Sequence, residues 1–407
     1  MEKKQIGIIG AGISGLLAFT ENFPAQHKVF DYIQSYAQHF DLIKHIRFNT
    51  KVVGIEYEGL SDKEIQSCSL WNGNGQPFSF KGKWKVVVDS TENNSTEVHK
   101  VDFVILCVGR YCDVPSIPEF PPKKGPEAFH GKVIHSMDYA AMDYESAANF
   151  VKGKQVTVAG FQKSALDIAM ECSVANGLRN PCTVFRAFIS KTWKRIPTES
   201  FGNNAFTTVP EKFNDKVEEG SIILKKSQSF SFCEEGLLVD GETTSTTPLK
   251  TDAVILATGF KGGQKLRDIF VSQVFQDYKQ GSSDETFPLY REIVHPRIPQ
   301  LAVIGFSESF SNLHTSEMKC QWLAELLDGT FKLPSIKEME NDMVEWDEYL
   351  KRSSGQHYRR SCIALPIWYN DQLCKDMGWN PKRKKGFFAE LFEPYGPLDY
   401  VSPSRSN

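Results

Sequence analysis

Short, unbroken apolar blocks punctuate this chain, and most of them stop at a glycine. Residues 5–9 run straight into Gly10, residues 101–109 close on Gly109, and residues 155–159 close on Gly160. Residues 251–260 carry Gly259 near their end, and residues 301–305 close on Gly305. Continuous apolar runs of this length predict strands buried on both faces, as in a parallel sheet. Helical spacing alternates with them. Residues 25–40 place Val29, Ile33, Tyr36 and Phe40 on one face after Pro24, residues 166–175 form a second helix, and residues 317–327 a third, with Met318, Trp322 and Leu326 as its core stripe. Strand character also marks residues 46–56, 84–89, 183–185, 222–225 and 237–239, the last two expected to pair. Residues 73–77 and 93–96 read as turns, and residues 251–260 as the strand that carries the chain back to the first domain. Beyond Leu333 the chain is highly charged, and residues 380–385 and 390–394 read as solvated loop and cap.

Two of the strand ends carry chemistry. After residues 5–9 comes Gly10-Ala11-Gly12-Ile13-Ser14-Gly15, with Leu16, Leu17 and Ala18 opening a helix. Gly10 permits the tight turn, Gly12 lets the backbone approach a pyrophosphate, and Gly15 lets helix and strand pack closely. The helix start offers unpaired amides to phosphate. The next piece of such a unit should be a strand ending in an acid for the ribose. Asp31 sits at a tempting spacing, but it falls inside the helical stretch 25–40. A second, degenerate version follows residues 155–159 as Gly160-Phe161-Gln162-Lys163-Ser164-Ala165. Gly160 takes the first glycine position and Ala165 the third, while Gln162 replaces the second. Lys163 and Ser164 can compensate by donating to phosphate. Past the following strand, Arg186, Lys191, Lys194 and Arg195 form a basic cluster. Cations at that place suit a 2′-phosphate, and so NADPH over NADH.

Composition narrows the classes. The 407 residues hold 47 Lys plus Arg against 50 Asp plus Glu, a net charge of −3, which gives no support to a nucleic-acid partner. Nine cysteines without a CxxC pair argue against a disulfide framework and a structural zinc. Cys107 reads as a buried small hydrophobe rather than a nucleophile. No membrane span is expected, because no run of 18 apolar residues occurs. Met1-Glu2-Lys3-Lys4 is not read as a secretory signal. The expected location is cytoplasmic, with peripheral endoplasmic reticulum association left open, since Lys382-Arg383-Lys384-Lys385 alone is too short to argue attachment.

Phe129-His130-Gly131-Lys132-Val133-Ile134-His135-Ser136-Met137-Asp138-Tyr139 resembles the FxGxxxHxxxY identifying sequence of class B flavin-dependent monooxygenases. Ala257-Thr258-Gly259-Phe260 resembles their ATG motif, and Cys107-Val108-Gly109 with Pro115 and Pro118 their first-domain exit. The chain is similar to plant flavin-containing monooxygenases over nearly all its length. The resemblance implies an α/β fold of two Rossmann-like dinucleotide-binding domains, the second inserted in the first. Residues 1–120 and 250–407 would bind FAD, and residues 121–249 NADP. Gly10, Gly12 and Gly15 would contact FAD. Gly160, Ser164 and Ala165 would meet NADPH, with Arg186 at its 2′-phosphate. The implied reaction passes one oxygen atom of O2, through a flavin C4a-hydroperoxide, to a soft nitrogen or sulfur of a small molecule. A homo-oligomer is compatible with this reading. His135 is not expected to be a general base. Phe129 and Tyr139 are expected to pack, with His135 hydrogen-bonded.

One departure matters. In the family, several tens of residues separate the first glycine loop from the segment that resembles Glu21-Asn22-Phe23-Pro24. They hold most of the first helix, the second strand with its ribose acid, a GGxW-like turn and an asparagine near the flavin. Here Leu16-Leu17-Ala18 leads straight into the later segment, so the first domain is expected to be incomplete. The alternative reading is therefore an impaired family member, a splice variant or faulty gene model that binds NADP weakly. A disulfide-reductase type would need a CxxC pair. A ketone-oxidising Baeyer–Villiger enzyme usually carries tryptophan where Tyr139 stands.

Overall fold

The structure, a computed structural model, describes residues 4–9, 26–92, 94–111, 114–187, 209–227, 229–239, 248–278, 287–309, 312–354, 362–363 and 366–400. The chain divides into two compact units, Met1–Arg110 with Gly262–Asn407 and Tyr111–Lys261. The first unit opens with β1 (Ile6–Ile9), α1 (Gln26–His39), β2 (Thr50–Glu58), α2 (Asp62–Ser67), β3 (Lys83–Ser90), β4 (Ser95–Val101) and β5 (Phe103–Leu106). The second holds β6 (Lys132–His135), α3 (Ser136–Ala140), α4 (Tyr144–Val151), β7 (Val156–Ala159), α5 (Lys163–Asn176) and β8 (Cys182–Ala187). It continues with α6 (Phe213–Glu218), β9 (Ile222–Ser227), β10 (Phe230–Cys233), β11 (Gly236–Val239), β12 (Leu249–Lys250) and β13 (Ala253–Leu256). The first unit resumes with α7 (Gly262–Asp268), α8 (Gln273–Gln276), β14 (Leu301–Val303), β15 (Glu308–Ser309), α9 (Asn312–Leu327), α10 (Ile336–Ser354), β16 (Cys362–Ile363), α11 (Pro366–Asp376) and α12 (Phe387–Phe392).

The first unit is built on a parallel sheet in the order β1-β5-β14, with β1 at its edge. The strands β2-β3-β4 form an antiparallel sheet whose inward residues Trp84, Val86 and Val88 are buried. The alternation along β3 is the period of two that leaves one face for water. Two cores serve this unit. One gathers Ile9, Ile55, Trp84, Leu106 and Phe270, and the other Trp71, Phe103, Met318, Trp322 and Met339. The expected helices 25–40 and 317–327 are α1 and α9, and Met318, Trp322 and Leu326 are fully buried. Asp31 lies on α1, so no strand presents it to a ribose.

The second unit is a five-stranded parallel sheet in the order β6-β13-β7-β8-β9, with β10-β11-β12 beside it in sequence as an antiparallel sheet. The helix expected at 166–175 is α5. Four expectations need correction. Residues 222–225 and 237–239 do not pair: β9 lies parallel to β8, and β11 pairs with β10 and β12. Residues 253–256 do not leave the second unit. All four side chains of β13 are buried, and the strand sits between β6 and β7. The chain passes back to the first unit after Lys261, so the inner boundaries fall at 110/111 and 261/262 rather than 120/121 and 249/250. In the charged tail the expected loop-and-cap stretch 390–394 begins inside α12, and upstream α10 and α11 bury Met339, Met343, Leu350, Tyr369 and Leu373.

Candidate functional site

A parallel sheet sends every chain end to one edge, and ligands of such folds bind outside the carboxyl ends of the strands. In the second unit that edge collects motifs that are far apart in sequence. His135 ends β6 and pairs in register with Leu256 at the end of β13. Ala257-Thr258-Gly259 follows β13 directly, and Gly160 follows β7. Gly160 has φ +140°, and a Cβ there would lie 2.2 Å from the Ala257 carbonyl oxygen. The glycine is therefore demanded by the ATG-like segment pressed against it. Its N–H donates to Phe185 O at 3.0 Å, which carries the β7–β8 ladder one residue further.

The helix α5 begins right after this turn. Its N-cap residue Gln162 is extended and makes no side-chain cap bond, so the first-turn amides stay open to an external acceptor. Ser164 is exposed in that first turn. Lys163 is exposed but turns back along its own helix to pair with Asp167. Ala165 is fully buried within the unit's core, so it works by letting helix and sheet approach closely. Arg186 stands near the end of β8, opposite Lys226, and its backbone reaches the same edge. Lys191, Lys194 and Arg195 lie outside the described residues.

The identifying-sequence residues have structural duties. Phe129 is buried beside Phe232, with ring centroids 6.0 Å apart. Gly131 is held by close approach, since a Cβ would meet Asp252 O at 2.4 Å. His135 is the N-cap of α3. Its Nδ1 accepts from Met137 N–H at 3.1 Å, and its own N–H donates to Asp138 Oδ2 at 3.2 Å. Its ring meets Phe260 edge-on at 5.2 Å. Burial pushes its pKa below the ordinary histidine value, and the Gly259 backbone and Asp138 oppose that. Tyr139 is buried, and its hydroxyl donates to Glu171 Oε2 at 2.9 Å, tying α3 to α5. These contacts match the packing role expected for Phe129, His135 and Tyr139.

In the first unit the corresponding edge lies at the ends of β1, β5 and β14. Gly10, Gly12 and Gly15, expected after β1, lie outside the described residues. The neighbouring loops are described. Cys107 N–H donates to Ile9 O at 2.7 Å, and Ile304 N–H to Leu106 O at 2.9 Å. Gly109 and Gly305 both have positive φ, 67° and 76°. Burial pushes the Cys107 thiol up to about 12, as suits a packed thiol rather than a nucleophile. The Arg110 guanidinium lies 5.5 Å from the Phe306 ring. Behind the last loop is a group the sequence reading missed. Lys319 on α9 is buried and bonds Ser307 Oγ, while Thr315 Oγ1 donates to Ser309 Oγ at 3.0 Å. Burial pushes the Lys319 ammonium down to about 8, with Glu292 opposing. Its signal was the second stripe Thr315, Lys319 and Leu323, four residues apart on α9.

The two turns differ in how well they suit a dinucleotide. The second unit offers a glycine turn, an open helix start and small Ala165, and these fit NADP. In the first unit no described strand flanks β1 on the side away from β5, and Asp31 is on a helix. The adenosine side of FAD therefore lacks its usual holder among the described residues.

Known proteins resemble this chain over most of its length. The family "Flavin-binding monooxygenase-like" matches residues 17–193 and 186–390. The match begins past Gly15. A probable flavin-containing monooxygenase 1 of Arabidopsis thaliana is 36% identical over 449 aligned positions, covering 93% of this chain and 83% of that protein. The aligned length exceeds the 407 residues here, so that relative carries residues this chain lacks. Among solved structures, the S-allyl-L-cysteine S-oxygenase of Allium sativum aligns with TM-score 0.58 and 17% identity, over 89% of this chain and 70% of that one. Cyclohexanone monooxygenase from Rhodococcus sp. Phi1 bound to NADP+ aligns with TM-score 0.60 and 14% identity, over 86% and 82%. The fold is thus that of monooxygenases with two dinucleotide-binding domains, and FAD and NADPH are the cofactors that accord with it. The chain belongs to the flavin-binding monooxygenase-like family.

Proposed function

We propose that this protein is an NADPH-dependent flavin monooxygenase that passes one oxygen atom from O2 to a soft nitrogen or sulfur of a small molecule. The observation that carries the NADPH half is the turn at Gly160, where an open helix start meets the ends of β6 and β13. The bound cofactors supply the reducing electrons and the activation of oxygen. The chain's own residues bind and orient. The first amides of α5 and the Ser164 hydroxyl donate to the pyrophosphate, and Gly160 lets the backbone come close. Arg186 meets the 2′-phosphate. His135 holds the start of α3 and moves no proton. In this reading the inserted unit is the NADP domain, the outer unit the FAD domain with Gly10, Gly12 and Gly15 at its phosphate turn, and the location cytoplasmic, within reach of the endoplasmic reticulum surface.

A second reading is favoured by β1 at the sheet edge: an impaired member that keeps NADP and loses FAD. One set of measurements separates the two. The purified chain should carry flavin absorbance and consume oxygen with NADPH and an amine or sulfide. A chain that stays colourless with added FAD, yet binds NADP, supports the second reading. Arg186→Glu should reduce the preference for NADPH over NADH in binding, and an unchanged ratio removes Arg186 from the phosphate site.

A further inference from the structure

The last α-helix of the described chain is built inside out. In α12 the polar residue faces inward, and the apolar residues face water. Glu390 accepts from the Tyr395 hydroxyl at 2.6 and 2.7 Å and from Lys384 N–H at 3.1 Å. Phe387, Phe388, Leu391 and Phe392 are 75%, 75%, 61% and 74% exposed. An ordinary surface helix shows the reverse arrangement.

The base beneath this helix is cross-braced. Tyr395 Oη accepts from Arg383 N–H at 2.7 Å, and Lys384 pairs with Asp399 at 3.0 Å. The Arg383 guanidinium bonds Asp399 O and lies 5.8 Å from the Trp379 ring and 5.5 Å from the Tyr400 ring. Trp379 and Tyr400 belong to the core of the first unit. The apolar side chains are thus held outward on a fixed support.

The basic run divides in the same way. Arg383 and Lys384 are spent on that support. Lys382 and Lys385 are exposed, and among the described residues neither makes an ion pair. Two free ammonium groups therefore stand at the start of a protruding apolar helix.

We propose that α12, with Lys382 and Lys385, docks on an anionic lipid surface, the phenyl rings entering the acyl boundary and the lysines meeting headgroup phosphates. Three phenyl rings and a leucine at these exposures present on the order of 500 Å² of apolar surface. A stable protein interface needs about 800 Å² from each partner, so the patch is small for a second copy of the chain. It is ample for a short interfacial helix beside cationic side chains. No helix among the described residues is long and apolar enough to cross a membrane, so the contact is peripheral.

The test is flotation of the full chain with phosphatidylcholine vesicles, with and without phosphatidylserine. It does not depend on flavin content or turnover, so it stands apart from the oxygenation reading. The wild type should float with phosphatidylserine vesicles, less so as salt rises. Phe388→Ser with Phe392→Ser should weaken binding by roughly tenfold or more, and Phe388→Leu with Phe392→Leu should keep it. Lys382→Glu with Lys385→Glu should remove the preference for phosphatidylserine, with the thermal transition unchanged. Absence of wild-type flotation overturns the proposal, as does flotation that the serine pair leaves intact. A dimer in sedimentation that the serine pair dissolves would give the face to a second copy instead, and also overturns it.

Discussion

β1 and β7 are the same device in two settings. Each is a four-residue apolar strand read from sequence as the start of a phosphate turn. In the second unit β7 lies between β13 and β8, and all four of its residues are buried. In the first unit β1 has a single neighbour among the described residues, and Ile6 and Ile8 are 42% and 65% exposed. Among the described residues the same local motif therefore stands inside a sheet once and at a sheet edge once. A phosphate turn draws its rigidity from the strands on either side, since each neighbour satisfies one row of backbone groups and fixes where the strand ends. The comparison predicts that turn chemistry in the second unit tolerates little change, and that β1 itself contributes little to stability.

The largest expected effect is at Gly160. A valine there meets the Ala257 carbonyl at well under contact distance and must adopt φ +140°. Backbone cannot move aside cheaply in the middle of five parallel strands. Gly160→Val should destabilise the second unit by about 3 kcal/mol or more, read as a lowered thermal transition and lost NADP binding. A variant that melts like wild type would show that the ATG-like segment does not hold the turn.

The next effect belongs to the first unit and depends on pH. His295 is buried, its Nδ1 accepting from Arg297 N–H at 3.1 Å and its ring stacked on Tyr278 at 4.5 Å. Burial, helped by the Arg297 charge, pushes its pKa down to about 3. In the unfolded chain a histidine titrates near 6.5, roughly. Between those values the unfolded state binds one more proton. The stabilisation held by neutral His295 is complete above about pH 6.5 and declines by about 1.4 kcal/mol per pH unit as pH falls through this window. His295→Gln should flatten the acid limb of a denaturation-against-pH series. An equally steep limb in the variant would move the acid sensitivity to other groups, the depressed His135 of the second unit among them.

The strand ends were legible because buried strands of a parallel sheet are apolar runs, and glycine marks their tight exits. Gly160, His135 and Gly259 could be named from sequence, but not that one sheet edge unites them, because strand order is set by crossovers that local pattern does not encode. The mispairing of 222–225 with 237–239 has the same cause: two nearby β-like runs look like a hairpin until the parallel partner β8 is known. The tail misled differently. α10 opens with a capping box in which Ser335 Oγ accepts from Glu338 N–H at 3.2 Å, a signal present in the sequence as Ser335-Ile336-Lys337-Glu338. Its charged outer face masked the stripe of Met339, Met343 and Leu350.

The smallest expected effect tests the bare edge directly. Ile8 is 65% exposed, and among the described residues β1 pairs with β5 alone. Ile8→Lys should therefore change stability by no more than about 0.5 kcal/mol, the range of ordinary surface substitutions. The matching change in the second unit, Val158→Lys, places an ammonium at a fully buried position of β7 and should prevent folding of that unit. Charged side chains on an edge also discourage pairing with other chains, so Ile8→Lys should lower aggregation measured by light scattering. If Ile8→Lys instead unfolds the first unit, β1 is covered in solution, and the contrast between the two strands disappears. The pair is informative because the substitutions are chemically alike. The two positions differ in neighbours and in cover: among the described residues β1 has one neighbouring strand and Ile8 is largely exposed, whereas β7 has two and Val158 is fully buried in the unit's core.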